Sequence, residues 1–306
     1  MQTTAGADPR SSLSRLTIDG VEWTFSDSGD GPGPPLLVLP GALGMVDAAG
    51  AALRRLAEGR RVIALAYPAV PAMTALCDGI AALLDRLGLE RVDVLGGSLG
   101  GWVAQCLARR HPERVRHLAL SHTFALRPGD ARRIRLGSRL WALIPDRVFY
   151  ALLRMRLRQV LRPVRRAGPA EAASWDAWLR DGVRRQVSRA ALARYNDWML
   201  ESLAAFRLAP GDLERREGRV LILESADDPI LRARDRARLR ALYPSAVVST
   251  FHGAGHATSL AMPDEYAAAV AGFLDAETAV RECVSAREPD TTVRSGAVAV
   301  EASRGL

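Results

Sequence analysis

Six short runs of β-branched and leucine residues recur along the chain: "PLLVLP" (35–40), "RVIALAYP" (61–68), "RVDVLGG" (91–97), "RVRHLALSH" (114–122), "RVLILES" (219–225) and "SAVVSTFH" (245–252). They read as buried strands rather than as strands with one wet face. Helical patterns near 47–58, 74–88, 99–110, 231–242 and 264–275 fill the gaps. Strands alternating with helices build a parallel sheet with crossover helices on its faces. At the front, "RLTI" and "VEWTFS" flank Asp19-Gly20, a hairpin signal, so the sheet is expected to open antiparallel. A chain of 306 residues that is 48% hydrophobic has the material for a core of this size.

One gap breaks the rhythm. Roughly 95 residues separate the strand ending near Ser121 from the one starting near Arg219, too many for a structureless loop. Apolar residues at helical spacing within it predict an inserted helical subdomain, divided near Pro163, Gly168 and Pro169. Its aromatic and long apolar residues (Trp141, Phe149, Tyr150, Met155, Trp175, Trp178, Tyr195 and Trp198) either shape a pocket or pack the insertion itself. The expected division is a disordered N-terminus at 1–14, a core at 15–121 and 218–276, an inserted helical subdomain at 122–217, and a flexible tail at 277–306.

The stretch "VDVLGGSLGGWVAQ" (92–105) places Ser98 between glycine pairs, where a strand gives way to a helix. Gly96 to Gly100 fits G-x-S-x-G, in the strand–turn–helix context that gives that motif meaning. A sharp turn there holds the serine at positive φ and requires small residues two positions to either side. It lifts the hydroxyl above the sheet at a helix N-terminus, where negative charge is favoured. No G-x-G-x-x-G spacing is present, and a Walker lysine is excluded because the chain has no lysine. The sequence calls for no cofactor.

A serine hydroxyl needs a histidine to take its proton and a carboxylate to orient that histidine. Of the five histidines, His256 in "FHGAGHATS" follows the last predicted strand, between glycines that free the loop to bend over the sheet. His122 and His252 fall at strand ends, where they either line a site or fill space. "LILESADDPIL" offers Asp227 and Asp228 beyond the penultimate strand; Asp228, before Pro229, is the expected acid, with Asp227 as the alternative. For the oxyanion, the backbone N–H of Leu99 and that of Ala42 in "PGALG" (40–44) are the expected donors.

The net charge of +8 arises in one place. Between Arg127 and Arg166 there are twelve arginines against Asp130 and Asp146. Such a cluster attracts acidic lipid, protein or ligand, or else forms a solvated face; no nucleic-acid motif accompanies it, and no nucleic-acid role is expected. An acidic carrier protein is one partner this basic segment of the insertion would suit. No run is long enough to span a membrane, and no apolar leader segment is seen, so a cytoplasmic location is expected. Cys77, Cys106 and Cys283 are widely spaced and suggest neither a disulfide framework nor a metal site.

With elbow, acid, histidine and glycine loop in this order, residues 15 to 275 resemble the α/β-hydrolase superfamily, in its serine-nucleophile branch. That resemblance implies an eight-stranded, mostly parallel sheet flanked by helices, with the cap inserted after strand 6 and a pocket beneath it. The implied activity is cleavage of a small carboxylic ester, thioester or lactone through an acyl-enzyme on Ser98. Acyl transfer, lyase or cyclase chemistry at the same residues is the alternative. A narrower likeness, over residues 36 to 125, is to the maspardins, which implies a non-catalytic binding role as a further alternative. "GAGHA" departs from that pattern by supplying a histidine.

Overall fold

A computed structural model describes residues 13–44, 50–166, 168–211 and 219–285, with side chains as far as 276. Eight strands form one sheet in the order β1-β2-β4-β3-β5-β6-β7-β8. They are β1 (Leu13–Ile18), β2 (Val21–Asp27), β3 (Gly33–Leu39), β4 (Arg60–Ala66), β5 (Val92–Gly97), β6 (Val115–Ser121), β7 (Val220–Ser225) and β8 (Val247–Phe251). The first two are antiparallel additions, and every pairing from β4 onward is parallel. The β1–β2 turn has Asp19 at φ 48° and Gly20 at φ 77°, the two left-handed residues that a tight hairpin needs.

Alternate residues of each strand feed opposite faces of the sheet. Leu37 and Leu39 pack with α2 (Met73–Arg86) and α3 (Leu99–Arg110), whereas Leu36 packs with α1 (Gly50–Ala57) and α12 (Pro263–Ser285). β3 and β5 are neighbours whose onward connections run to opposite faces, which opens a crevice at their C-terminal ends. The parallel strands thus bring Gly41, Ser98 and His122 to one edge. At the other end of β5, Asp93 is fully buried and held by Arg116 at 2.5 Å, a structural ion pair remote from that edge.

Between β6 and β7 lie α4 (Asp130–Leu143), α5 (Asp146–Val160), α6 (Arg162–Arg165), α7 (Pro169–Ala177), a π-helical turn at Trp178–Gly182, α8 (Val183–Gln186) and α9 (Arg189–Ala205). Their own core joins Phe149, Tyr150, Leu157, Leu179 and Val183, and it rests on Leu43 and Leu260 of the main fold. Helix α9 docks separately. Trp198 Nε1 donates to the Val70 carbonyl at 2.9 Å, and Glu201 accepts from Met73 N at 3.0 Å. Glu201 thereby caps α2, whose preceding Ala72 has no side chain to do so.

Helix α10 (Ala233–Leu242), the short α11 (Thr258–Ala261) and a 3-10 turn at Pro112–Arg114 complete the described elements. Two expectations need correction. The chain is already in β1 at Leu13, before the expected start of the core, because Leu13 to Ile18 pairs along its length with β2. Helix α12 continues to Ser285, past the expected end of the core at 276. A helix in progress gains a backbone hydrogen bond with each added residue, so it outlasts the apolar pattern that starts it. The remainder of the expected terminal segments, and Cys283's side chain, lie outside what is described. Cys77 and Cys106 are buried free thiols.

Candidate active site

Ser98 follows β5 directly and caps α3, with φ 51° and ψ −115°. Its amide donates to the Ser121 carbonyl at 2.9 Å, and its own carbonyl accepts from Thr123 Oγ1 at 2.6 Å. Both sides of the turn are therefore tied to the end of β6. The surrounding glycines are sterically required at three positions. A Cβ at Gly100 would overlap the Leu39 carbonyl, one at Gly96 the Gly100 carbonyl, and one at Gly101 would lie 2.6 Å from Thr123 Cγ2. Gly97 is different: nothing stands within 4 Å of a Cβ there.

His256 and Asp228 meet across two loops. His256 Nδ1 lies 2.7 Å from Asp228 Oδ2, and the carboxylate is almost fully buried. Its other oxygen accepts from the amides of Ile230 at 2.7 Å and Leu231 at 3.0 Å. Burial pushes this carboxyl upward, but the hydrogen bond and charge of His256, with the two amides, outweigh it and hold the group below its ordinary value. Asp227 faces elsewhere: its Oδ1 accepts from Gly253 N at 3.1 Å and Gly255 N at 3.4 Å, bracing the loop that carries His256. Gly253 and Gly255 themselves have φ of 76° and 62°.

Ser98 and His256 line one cavity of about 310 Å³, within the usual range for small-molecule sites. Gly41 and Ala42 border it, and a Cβ at Gly41 would sit 3.4 Å from Ser98 Cβ, so this loop flanks the serine. Leu99 opens α3, where a helix N–H has no partner within the helix. The insertion supplies an apolar wall from Leu157, Val160, Leu161 and Trp178. Of the eight aromatic and long apolar residues that sequence left open between pocket and packing, Trp178 lines the cavity. Tyr195 and Trp198 are core, Phe149 and Tyr150 pack the insertion, Trp175 packs against that same core, and Trp141 and Met155 are exposed.

His122 is the residue whose place sequence reasoning left undecided. It sits at φ 45° at the end of β6, buried, and lines the same cavity. One ring nitrogen lies 3.0 Å from Ser121 Oγ; the other lies 2.9 Å from Ser225 Oγ and 2.8 Å from Thr258 Oγ1. Its ring meets that of His256 edge-on, with centroids 5.9 Å apart. Burial, aided by the neighbouring His256 and opposed by Asp228, lowers its pKa to about 3. His122 is thus a neutral imidazole on a bed of hydroxyls. The only sequence signal was its place at a strand's C-terminal end.

That shift carries a consequence for stability. The unfolded histidine binds its proton near pH 6.5, the folded one only near 3, so below 6.5 the unfolded state is favoured by about 1.4 kcal/mol per pH unit. The stability advantage of the parent over His122→Asn is expected to shrink by about 2–3 kcal/mol between pH 7 and pH 4.5. Urea unfolding at the two pH values measures it, and an unchanged gap would show that His122 titrates normally.

Comparisons with known proteins agree with this architecture. A sequence model described as "Alpha/beta hydrolase family" matches residues 36–269. The 2-hydroxymuconate semialdehyde hydrolase of Pseudomonas sp. (strain CF600) is 28% identical over 274 residues, covering 83% of this chain and 91% of that protein. Human maspardin is 37% identical over 120 residues, but that spans 37% of this chain and 39% of maspardin. Among solved structures, a hydrolase from Pseudomonas aeruginosa PA01 has a TM-score of 0.68 at 24% identity, covering 89% of this chain and 99% of its own. An enol-lactonase from Burkholderia xenovorans LB400 has a TM-score of 0.62 at 18% identity, over 85% of this chain and 99% of its own. Matched over most of its length, with the strand order, crossover helices and insertion after β6 described above, the chain belongs to the alpha/beta hydrolase family.

Proposed function

We propose that the protein is a serine hydrolase that cleaves a carboxylic ester, thioester or lactone. The observation that carries this reading is the 2.7 Å contact between His256 Nδ1 and the buried Asp228, with His256 and Ser98 lining one cavity. A carboxylate on Nδ1 leaves Nε2 as the nitrogen that takes a proton, the tautomer a general base needs. In the reaction, Ser98 Oγ attacks the carbonyl carbon as His256 Nε2 takes its proton, and Asp228 stabilises the imidazolium. The N–H groups of Leu99 and Ala42 hold the oxyanion, and water then releases the acyl group.

Helices α4–α9 act as a cap that closes the cavity. Leu157, Val160, Leu161 and Trp178 make its wall apolar, which suits an acyl or aryl group on the substrate. The relative from Pseudomonas sp. is named a hydrolase, which supports hydrolysis as the reaction type, and the structural neighbour from Burkholderia xenovorans is named an enol-lactonase, which suits the lactone reading. The maspardin match is too short to carry an activity.

A fluorophosphonate probe is expected to modify Ser98, located by peptide mass spectrometry, and to abolish hydrolysis across a panel of p-nitrophenyl esters of increasing chain length. Unchanged ester turnover with Ser98 modified, or modification at another residue that abolishes turnover, would overturn the assignment.

A further inference from the structure

The outer surface of the cap is unlike the rest of the molecule. Of the ten exposed large apolar side chains among the described residues, seven belong to α4 and α5, so the patch is local. Leu136, Leu140 and Leu143 are 57%, 55% and 80% exposed and follow i, i+4, i+7 spacing along one face of α4. Val148, Leu152 and Met155 repeat that spacing on α5. At the corner between the helices Trp141 is itself exposed and packs edge-on against Phe149, with centroids 5.5 Å apart.

Arginines share this surface. Arg132 and Arg139 fall on the same side of α4 as the leucines, Arg135 borders that side, and Arg147 and Arg158 flank the stripe of α5. Among the described residues no carboxylate pairs with any of these five. The two acids of the segment are engaged elsewhere, Asp130 with Arg133 and Arg238, and Asp146 with Arg189. Leucine, tryptophan and methionine beside unneutralised guanidinium groups are what an interfacial helix presents to a membrane. The apolar side chains enter below the phosphates, and each guanidinium forks onto a phosphate oxygen pair at their level. A water-facing role explains the arginines but leaves the leucines unaccounted for.

We propose that the α4–α5 face of the cap docks on anionic phospholipid surfaces. Position adds a functional link, which rests on the hydrolase reading above: the opposite side of α5 supplies Leu157 and Val160 to the cavity wall. Docking would set the cavity's cap wall next to the lipid phase, from which an apolar ester can enter. The surface holds the protein at the interface only; no helix among the described residues is long and apolar enough to cross a membrane.

The test is flotation of the full chain with phosphatidylcholine vesicles that contain or lack phosphatidylserine. Binding is expected with phosphatidylserine and to be lost from phosphatidylcholine alone or at high salt. Two double variants, Leu140→Ser with Leu143→Ser and Arg135→Glu with Arg139→Glu, are each expected to weaken binding at least about tenfold. Both should hydrolyse a water-soluble p-nitrophenyl ester at the parental rate, which shows that they fold and that the triad reading stands or falls separately. No binding to either vesicle overturns the proposal. So does binding that the arginine variant loses and the leucine variant keeps, the result expected if an acidic protein is the true partner.

Discussion

Replacing Ser98 by alanine is expected to lower kcat for ester hydrolysis by about 10⁶-fold, and Asp228→Asn by about 10⁴-fold, with KM little changed in both. The second loss is the more informative. Asparagine keeps the size of Asp228 and one carbonyl oxygen, but if its NH₂ faces His256 Nδ1 the imidazole is driven to the wrong tautomer. The charge that would stabilise the imidazolium is also gone. Asp227→Asn is the matched control, since it preserves an oxygen for Gly253 N and Gly255 N; it is expected to retain activity within about tenfold. Initial rates on one p-nitrophenyl ester, measured for the three variants, check the series. Equal losses for Asp227→Asn and Asp228→Asn would mean that the loop, rather than one carboxylate, sets the histidine.

Gly100→Ala is expected to cost about 3 kcal/mol of stability, a large fraction of the roughly 5–15 kcal/mol that holds a typical domain folded. The new methyl group would overlap the Leu39 carbonyl and stand 2.6 Å from the Pro40 carbonyl oxygen. These are backbone atoms at the end of a central strand, so no side-chain rotation relieves the overlap. Relief requires either α3 to move away from β3 or the Pro40–Ala42 loop to shift, and that shift would also misplace the proposed Ala42 oxyanion donor. Gly97→Ala serves as contrast. No atom stands within 4 Å of its Cβ and its φ is not positive, so the urea midpoint should stay within about 0.5 kcal/mol of the parent. Because Gly97 borders the cavity, any effect of that methyl group should appear in KM for bulky esters.

Much of the architecture is legible in the order of residues because its causes are local. A run such as "PLLVLP" is too apolar for a surface and too short for a buried helix, and it forms β3. Gly96 and Gly100 announce the strand–helix turn, since only glycine survives where backbones touch, and Gly101 follows where a Cβ would meet the Thr123 side chain. The hydrophobic pattern likewise marks the long insertion, although it places neither the π-helical turn at Trp178–Gly182 nor the end of α12. Those depend on packing partners and on helix cooperativity that no short window contains.

Sequence by itself determined the sheet order's raw material, the serine elbow and the short set of acids and histidines that could accompany it. Tertiary structure decided among them. Asp227 and Asp228 are adjacent and chemically identical, and their separation into a loop brace and a partner for His256 rests on the direction each carboxylate takes at the end of β7. His122 becomes a buried neutral imidazole because Ser225 and Thr258, more than a hundred residues away, place hydroxyls against it. The arginines of the insertion between β6 and β7 show the same division. Their number is written in the sequence, but whether a guanidinium is neutralised depends on carboxylates the fold brings within a few ångströms, because at larger separations water and salt screen the pair.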